Sequence, residues 1–345
     1  MTLACQLQLR VVSLNVRVDL QAYRNDVNAL KDNEKPWRVR LPLIMRQLES
    51  QIKSLDAIAG ASKASDATPP NILLCFQEAL HHQVVDIVNA LNHAPGTLFW
   101  AYIGFGRDDG MTEGEYCPIV YQTNRFSVVY SQHNWLSETP DKPSKGWDAD
   151  CVRILTSAVL EDQVSKQQFA IFNTHLDHRG SIARQESIIL ILRIIETICK
   201  RSREIRAEDI PFILVGDFNS STTEEAYQTL LASQKTIDAY DAVPATHRIG
   251  PEATFTGFRP EEPDDLLSGK RKSTSGDYVD GAEKGRIDYV WFGPRPLRSK
   301  EDIMLQNSTG WCMRSYAALR NVPDNSKIFA SDHRAIVVDA TLSRM

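Results

Sequence analysis

"PFILVGDFNSSTTEEAY", residues 211–227, opens with an apolar run, Phe212-Ile213-Leu214-Val215, that stops at Gly216. A carboxylate and a carboxamide follow two residues apart, Asp217 and Asn219, and then Ser220, Ser221 and Thr222. Such residues end a strand and cap the next helix. "TTEEAYQTLL" reads as that helix, with Thr222 or Thr223 as N-cap and Glu224 and Glu225 in the first turn. The same residues also suit a site, because ligands in open α/β sheets gather at the carboxyl ends of strands. The window alone supports both readings, and the rest of the chain separates them.

The ending recurs. Asn15 follows "VVSL", Glu78 follows "LLCFQ", and His175 and Asp177 follow "FAIFNT". Asp288 sits in "RIDYVWF", and Asp332-His333 precede "RAIVV". One polar strand end is a turn; repeated at strand after strand, it implies that several ends converge on one cavity. Asp288, between Ile287 and Tyr289, would be costly to bury unpaired, and a partner such as His333 removes the difficulty. The set holds Glu, Asp and Asn oxygens plus imidazoles, without thiolates at ligand spacing. Hard oxygen ligands of this kind suit Mg²⁺ or Mn²⁺ rather than a structural zinc. Together with spare His and Asp they equip a site for phosphoryl chemistry, in which cations stabilise charge and a carboxylate activates water.

Strand and helix patterns alternate along both halves. "LRVVSLNVR" (9–17), "ILLCFQE" (72–78), and pieces at 98–105, 116–122, 126–131, 151–161 and 167–174 read as strands, as do "IDYVWFG" (287–293) and "HRAIVVDATL" (333–342). Residues 34–55, 79–93 and 179–202 read as helices, and 59–71 as a loop. A Trp-bearing loop at 134–150 and a polar loop at 259–286 are inserted between these elements. The class is α/β or a layered mixed sandwich.

At 345 residues and 42% hydrophobic, the chain can bury one large core or two modest ones. The net charge of −5 gives no basic tail, so strong non-specific polyanion binding is not the default. The six cysteines are scattered, without CxxC or zinc spacing, which fits free thiols in a reducing compartment. No signal-peptide pattern and no membrane-length apolar run is visible. The expectation is an intracellular protein, cytoplasmic or nuclear, with no membrane association and no inferable protein partner.

"SLNVR", "CFQE", "NTHLDH", "GDFNS", "RIDYVWF" and "SDHRAI", in this order over essentially the whole chain, resemble the endonuclease/exonuclease/phosphatase (deoxyribonuclease I-like) superfamily. The likeness is strongest to a poorly characterised branch that shares "GRDDGMTEGEYCPIVY" (106–121), "WLSETPDKPSKGWDADCVR" (135–153) and "TFTGF" (254–258). It implies a four-layer sandwich of two mixed β-sheets flanked by helices, a single domain over 1–345, with the site at one edge. By this resemblance Asn15 and Glu78 orient phosphate and bind the metal, and Asp217 and Asn219 position or deprotonate water and hold the phosphoryl oxygen. Asp332 is a further metal- or water-linked carboxylate. Asp288 orients His333, whose imidazole acts on the scissile phosphate. His175 is a second imidazole and Glu115 its carboxylate partner. Where many nuclease members carry an acidic residue two places after the first Asn, this chain has Arg17. Either Asp19 replaces it from another angle, or metal binding rests on Glu78 and Asp332 alone.

Other residues remain open between two roles. Arg107 belongs to a charged turn before Gly110 or clamps phosphate. Arg153 faces solvent at a strand edge or points into the cleft as a second phosphate ligand. Trp135 and Trp147 pack ordinarily or form a stacking wall for a base or ring. Phe255 and Phe258 read as core, and Lys270-Arg271-Lys272 as a solvated loop near the site mouth.

The expected activity is hydrolysis of a phosphate mono- or diester, dependent on Mg²⁺ or Mn²⁺, by in-line attack of activated water. The missing basic stripe and the two inserted loops favour a small or single-ended substrate over the long phosphate track of a DNA or RNA nuclease. A pseudoenzyme using the sandwich for binding alone would be expected to lack Glu78, Asp217 or His333, and all three are present.

Overall fold

The computed structural model describes residues 6–31, 33–54, 71–94, 99–201, 210–258, 285–294, 310–322 and 327–343. Its layering follows from strands that are apolar on both faces. In β1 (Leu7–Asn15), Val12 and Leu14 pack in one buried cluster while Leu9 and Val11 pack in another. The period-2 geometry of a strand sends neighbours to opposite faces, so such a strand needs cover on both sides.

The first sheet holds β1, β2 (Asn71–Gln77), β3 (Trp100–Ile103), β4 (Ile119–Gln122), β10 (Arg248–Ile249), β12 (Trp311–Ala318) and β13 (Ile336–Leu342), in the order β10-β12-β13-β1-β2-β4-β3. The second holds β5 (Phe126–Trp135), β6 (Ile154–Asp162), β7 (Gln168–His175), β8 (Phe212–Asp217), β9 (Ile237–Asp238) and β11 (Asp288–Gly293), in the order β5-β6-β7-β8-β11-β9. Helices are α1 (Leu20–Arg24), α2 (Trp37–Lys53), α3 (His81–His93), α4 (Ser181–Arg201), α5 (Glu225–Ala232) and α6 (Ala239–Ala242).

Three apolar clusters bond these parts into four layers. Ile44 and Leu48 of α2 and Val84 and Ile87 of α3 meet the outer face of the first sheet. Leu9, Val11, Leu73 and Val338 of the first sheet meet Ile171, Ile213, Val215 and Val290 of the second. Ile188 and Ile191 of α4 and Leu230 of α5 cover Phe172, Leu214 and Trp291 on the far side. Each fully buried aliphatic side chain contributes about 1.5–3 kcal/mol relative to exposure. The molecule is therefore an α/β sandwich of two mixed sheets with helices outside.

Strand direction decides where the polar residues meet. β1 and β2 run parallel with Asn15 opposite Gln77, and β7 and β8 run parallel with His175 opposite Asp217. β11 is antiparallel to β8 and begins with Asp288 opposite Asp217. β13 is antiparallel to β1, so Asp332 and His333 precede it where β1 ends. Four strand ends and two strand beginnings thus share one edge. Gly216 is required there: a Cβ on it would lie 2.3 Å from the carbonyl oxygen of Thr174.

Several boundaries differ from the sequence reading. β1 stops at Asn15, because Arg17 takes a left-handed φ of 61° that no strand continues. Neither Thr222 nor Thr223 caps α5: Glu224 holds the N-cap position, and its side chain accepts instead from the Ser221 N–H. β6 begins at Ile154 rather than 151, and β13 at Ile336 rather than 333. β12 escaped the sequence pattern because a bulge between Met313 and Ser315 breaks its alternation. Most of the 259–286 loop, the Lys270-Arg271-Lys272 run included, and nearly all of the 59–71 loop lie outside the described residues. Among the described residues no helix is long and apolar enough to cross a membrane.

Candidate active site

Asp217, at the end of β8, is the hub. Its Oδ2 accepts from Asn15 Nδ2 at 2.9 Å, and its Oδ1 accepts from the Asn219 N–H at 2.9 Å. Two imidazoles flank the same Oδ2, with His175 Nε2 and His333 Nε2 each 3.6 Å away. Burial, reinforced by the nearby Asp288 charge and opposed by His333, pushes the Asp217 pKa up to about 7.

On one side of the hub, His333 Nδ1 meets Asp288 Oδ2 at 2.9 Å. Both residues are nearly fully buried. Burial works against a charged imidazole, but the Asp288 and Asp217 carboxylates outweigh it and push His333 up to about 10. Asp288 is held by N–H donation to Thr254 Oγ1 at 3.1 Å, and His333 by N–H donation to Ser331 Oγ at 3.2 Å. Ser331 in turn donates to the Asn15 carbonyl at 2.6 Å, which ties this side to the end of β1. Asp288 Oδ1 is buried, and among the described residues it has no hydrogen-bond partner. Phe255, expected in the core, is half-buried and packs edge-on against the His333 ring, 4.9 Å between centroids; Phe258 is buried as expected.

On the other side, His175 Nδ1 lies 2.9 Å from Arg153 Nη1. Glu115 Oε2 is 3.8 Å from the same nitrogen, and its short contact, 2.5 Å, is with Arg107 Nη1. The carboxylate partner expected for His175 is thus displaced: a guanidinium stands nearer. Burial first, and Arg153 second, lower the His175 pKa well below its usual value. Burial also raises Glu115 in spite of Arg107. Arg107 and Arg153 are both buried rather than solvated. Trp135 is core, and its indole N–H donates to the Arg107 carbonyl at 2.7 Å.

Glu78 follows β2 with a φ of 60°, a strained conformation for its residue type that turns its carboxylate into the site. Its Oε1 accepts from Asn15 Nδ2 at 2.9 Å and its Oε2 from the Val18 N–H at 3.1 Å. Against burial, Arg17 and these donors hold Glu78 well below the carboxylate range. Arg17 lies 3.5 Å from Glu78, 3.5 Å from Glu34 and 3.8 Å from Asp332. A cation therefore occupies the position where an acidic residue was expected. Asp19 does not replace it, since its carboxylate accepts from the Ala22 N–H of α1 and meets His82 Nε2 at 3.1 Å. Arg40 of α2 fixes this corner by donating to the carbonyls of Val16 and Arg17.

The structure thus joins Asn15, Glu78, Arg107, Glu115, Arg153, His175, Asp217, Asn219, Asp288, Asp332 and His333 in one network. Asn15, expected to orient phosphate and bind the metal, accepts from the Arg17 N–H at Oδ1 and bridges two carboxylates through Nδ2. Among the described residues Trp147 has no contact linking it to the set, its backbone N–H donating to Glu138 Oε2 at 3.3 Å. Its neighbour Asp148 caps α4 through Ala183 N–H at 2.6 Å, so the 134–150 loop is pinned to the segment after His175. Thr254, Ser331 and Arg40 were missed. The first two open the motifs "TFTGF" and "SDHRAI", where nothing but a hydroxyl marks them.

Glu78, His175 and Asp217 form one group of close ligand atoms, and Asp217, Asp288 and His333 another. The oxygens of Glu78, Asp217, Asp288 and Asp332 and the unpartnered Asp288 Oδ1 fit a hard divalent ion better than a soft one.

The chain belongs to the endonuclease/exonuclease/phosphatase family, whose model matches residues 12–333. Members of this family are hydrolytic phosphoesterases. The chain is similar to human nocturnin, 24% identical over 277 residues that make up 77% of this chain and 54% of nocturnin. An uncharacterised protein of Acanthamoeba polyphaga mimivirus is 34% identical over 105 residues, 30% of this chain and 36% of its own. The matches thus cover about half or less of these curated relatives. Among solved structures, an endonuclease/exonuclease/phosphatase from Bacteroides vulgatus is 26% identical with a TM-score of 0.69, covering 97% of this chain and 99% of that one. The mannosyl-6-phosphatase of Bacteroides thetaiotaomicron is 26% identical with a TM-score of 0.66, covering 96% and 99%.

Proposed function

We propose that the protein, acting as one domain over residues 1–345, is a Mg²⁺- or Mn²⁺-dependent phosphoesterase that hydrolyses a small or single-ended phosphate ester. The observation that carries this reading is Asp217 Oδ2, held 3.6 Å from two imidazole nitrogens whose surroundings push them toward opposite charge states. Paired titratable groups pushed apart are the equipment of acid–base chemistry.

In this reading Asp217 takes the proton of the attacking water, its pKa of about 7 being matched to that task. Asn15 and the Asn219 N–H fix the carboxylate's orientation. His333, kept charged by Asp288, donates to a phosphoryl oxygen and offsets the charge that develops there. Asn219 holds a second phosphoryl oxygen, and His175 lies beside it. Glu78 and Asp332 would hold the divalent ion, which supplies positive charge at the phosphoryl group when bound. Arg17 between these carboxylates favours a single ion over two.

A small substrate is supported by the pinned 134–150 loop, by the buried state of Arg107 and Arg153, and by the likeness to a sugar phosphatase. The test is a panel of mono- and diesters, nucleotides, sugar and inositol phosphates, and single- and double-stranded nucleic acids, each with Mg²⁺, Mn²⁺ and EDTA. Metal-dependent release of phosphate from small monoesters is expected. Preferential cleavage of DNA or RNA would replace this reading by a nuclease, and silence across the panel would leave a binding protein. Calorimetry with Mn²⁺ should show weaker binding by Glu78→Gln, which removes a charge and keeps the shape; equal affinity would remove Glu78 from the metal shell.

A further inference from the structure

Arg153 sits where a carboxylate was expected, and this has a consequence for the proton on His175. A guanidinium has five N–H donors, no acceptor, and does not give up its proton in a protein. Arg153 Nη1 lies 2.9 Å from His175 Nδ1, so that nitrogen must be the acceptor. A neutral imidazole accepting at Nδ1 carries its hydrogen on Nε2. We propose that Arg153 is a positioning residue that holds His175 with its proton on Nε2, so that this ring presents an N–H to the site and never a lone pair.

The guanidinium is itself held in place. It is buried, with Nη1 3.7 Å from Glu115 and Nε 3.6 Å from Asp177. Its Nη2 lies 3.3 Å from Nδ1 of His178, which by the same logic accepts there and turns an N–H toward Asp150, 3.6 Å from its Nε2. One guanidinium thus orders two imidazoles.

Asn219 supplies the competing demand, since its Nδ2 lies 2.8 Å from His175 Nε2 and 3.0 Å from the Leu176 carbonyl. If Nε2 accepted from the carboxamide, Nδ1–H would face Arg153 donor to donor. The two demands are unequal. A carboxamide exchanges donor for acceptor by turning half a revolution, whereas a guanidinium has no acceptor to offer. Asn219 therefore presents Oδ1 to the ring, and its donation to the Leu176 carbonyl gives way to two acceptors facing each other, a cost smaller than opposing a guanidinium with an imidazole N–H. The order of donation runs from Arg153 to His175 to Asn219.

As a donor only, His175 is neither a general base nor a metal ligand through Nε2, although the ring groups with the Glu78 and Asp217 carboxylates, their candidate ligand atoms lying within 4.8 Å of one another. The catalytic meaning of this rests on the phosphoesterase reading; the location of the proton does not.

The experiment is long-range ¹H–¹⁵N spectroscopy of the full chain labelled in histidine, with the His175 signals assigned by His175→Gln. At neutral pH, wild-type His175 should show Nδ1 as the unprotonated ring nitrogen and Nε2 as the protonated one. Addition of Mg²⁺ alone should leave that pattern in place. Arg153→Met should bring in the other tautomer, and Arg153→Lys, which keeps a donor, should restore the original. Nδ1 protonated in the wild type, Nε2 converted to a metal-bound nitrogen by Mg²⁺, or an unchanged tautomer in folded Arg153→Met would each overturn the proposal. If Arg153→Met fails to fold, the wild-type spectrum and its response to Mg²⁺ decide. An inactive phosphoester panel beside an Nε2–H spectrum would overturn the proposed function and leave this inference standing.

Discussion

His175 and His333 stand at the same distance from the same carboxylate oxygen, and there the likeness ends. Each directs Nε2 toward Asp217, and each is nearly fully buried. What differs is the partner of the other nitrogen: a carboxylate, Asp288, for His333 and a guanidinium, Arg153, for His175. The first favours the imidazolium and the second forbids it. The residue behind the ring, rather than the ring or its aim, decides what an imidazole can do.

The change that should break this comparison most completely is Asp217→Asn, because it removes the group both imidazoles address. Hydrolysis should fall by about 10³-fold or more, the combined range of a general base and a fixed electrostatic contact. Metal binding measured by calorimetry should persist if Glu78 dominates it. Activity within tenfold of wild type would remove Asp217 as the base.

Next in size, His333→Ala should reduce kcat/KM by two orders of magnitude or more, about 3 kcal/mol for one preorganised contact. Asp288→Asn should cost a comparable factor without unfolding, and the double variant should be little worse than either single one, since groups acting as a unit are not additive. Losses that multiply would show two independent residues. The pH profile separates the two further. Asp217 must be ionised, so the rate should rise as pH passes about 7, and His333 must be protonated, so the rate should fall as pH approaches about 10. Asp288→Asn should move the alkaline limb to lower pH, and a limb that stays in place would uncouple Asp288 from His333.

How much of this contrast was legible in the sequence differs between the two sides. Asp288 was conspicuous because a carboxylate inside "RIDYVWF" demands a partner, and the family resemblance pairs it with His333. No such demand identified Arg153, which between Val152 and Ile154 reads equally well as a solvated strand end. Its role depends on the β6–β7 pairing, which brings Leu155 opposite Thr174 and so sets Arg153 beside His175. Arg17 was noticed as a departure, but its contact with Glu34 joins the end of β1 to the approach to α2, a contact that strand patterns do not reveal. The polar strand ends were readable because every one interrupts an apolar run. The arginines beside them stayed open between two roles, since an arginine beside a strand is ordinary on any surface.

The smallest expected effect tests whether the guanidinium side is as rigid as the carboxylate side. Asp177 accepts from the N–H groups of Cys151 at 3.0 Å, Arg179 at 3.0 Å and Gly180 at 2.8 Å, and lies 3.6 Å from Arg153. Burial alone would raise its pKa, but the Gly180 and Cys151 N–H groups and Arg153 hold it well below the usual carboxylate range. A carboxyl whose folded pKa is depressed adds stability above the pKa of the unfolded chain, about 3.9, and that stability is lost as pH falls through the folded value. Asp177→Asn keeps the shape but turns an amide N–H toward the Cys151 N–H and leaves Arg153 without its nearest anion on that side. Denaturant unfolding at pH 7 should therefore show a loss of about 2 kcal/mol, the scale of hydrogen bonds to a charged group. The gap between the two proteins should narrow below about pH 4, as the wild-type carboxyl protonates. In the variant Arg153 should order His175 less strictly, bringing some of the other tautomer into the ¹⁵N spectrum. A gap that stays constant down to pH 3 would show that Asp177 acts through packing alone, and that the scaffold of His175 owes nothing to its charge.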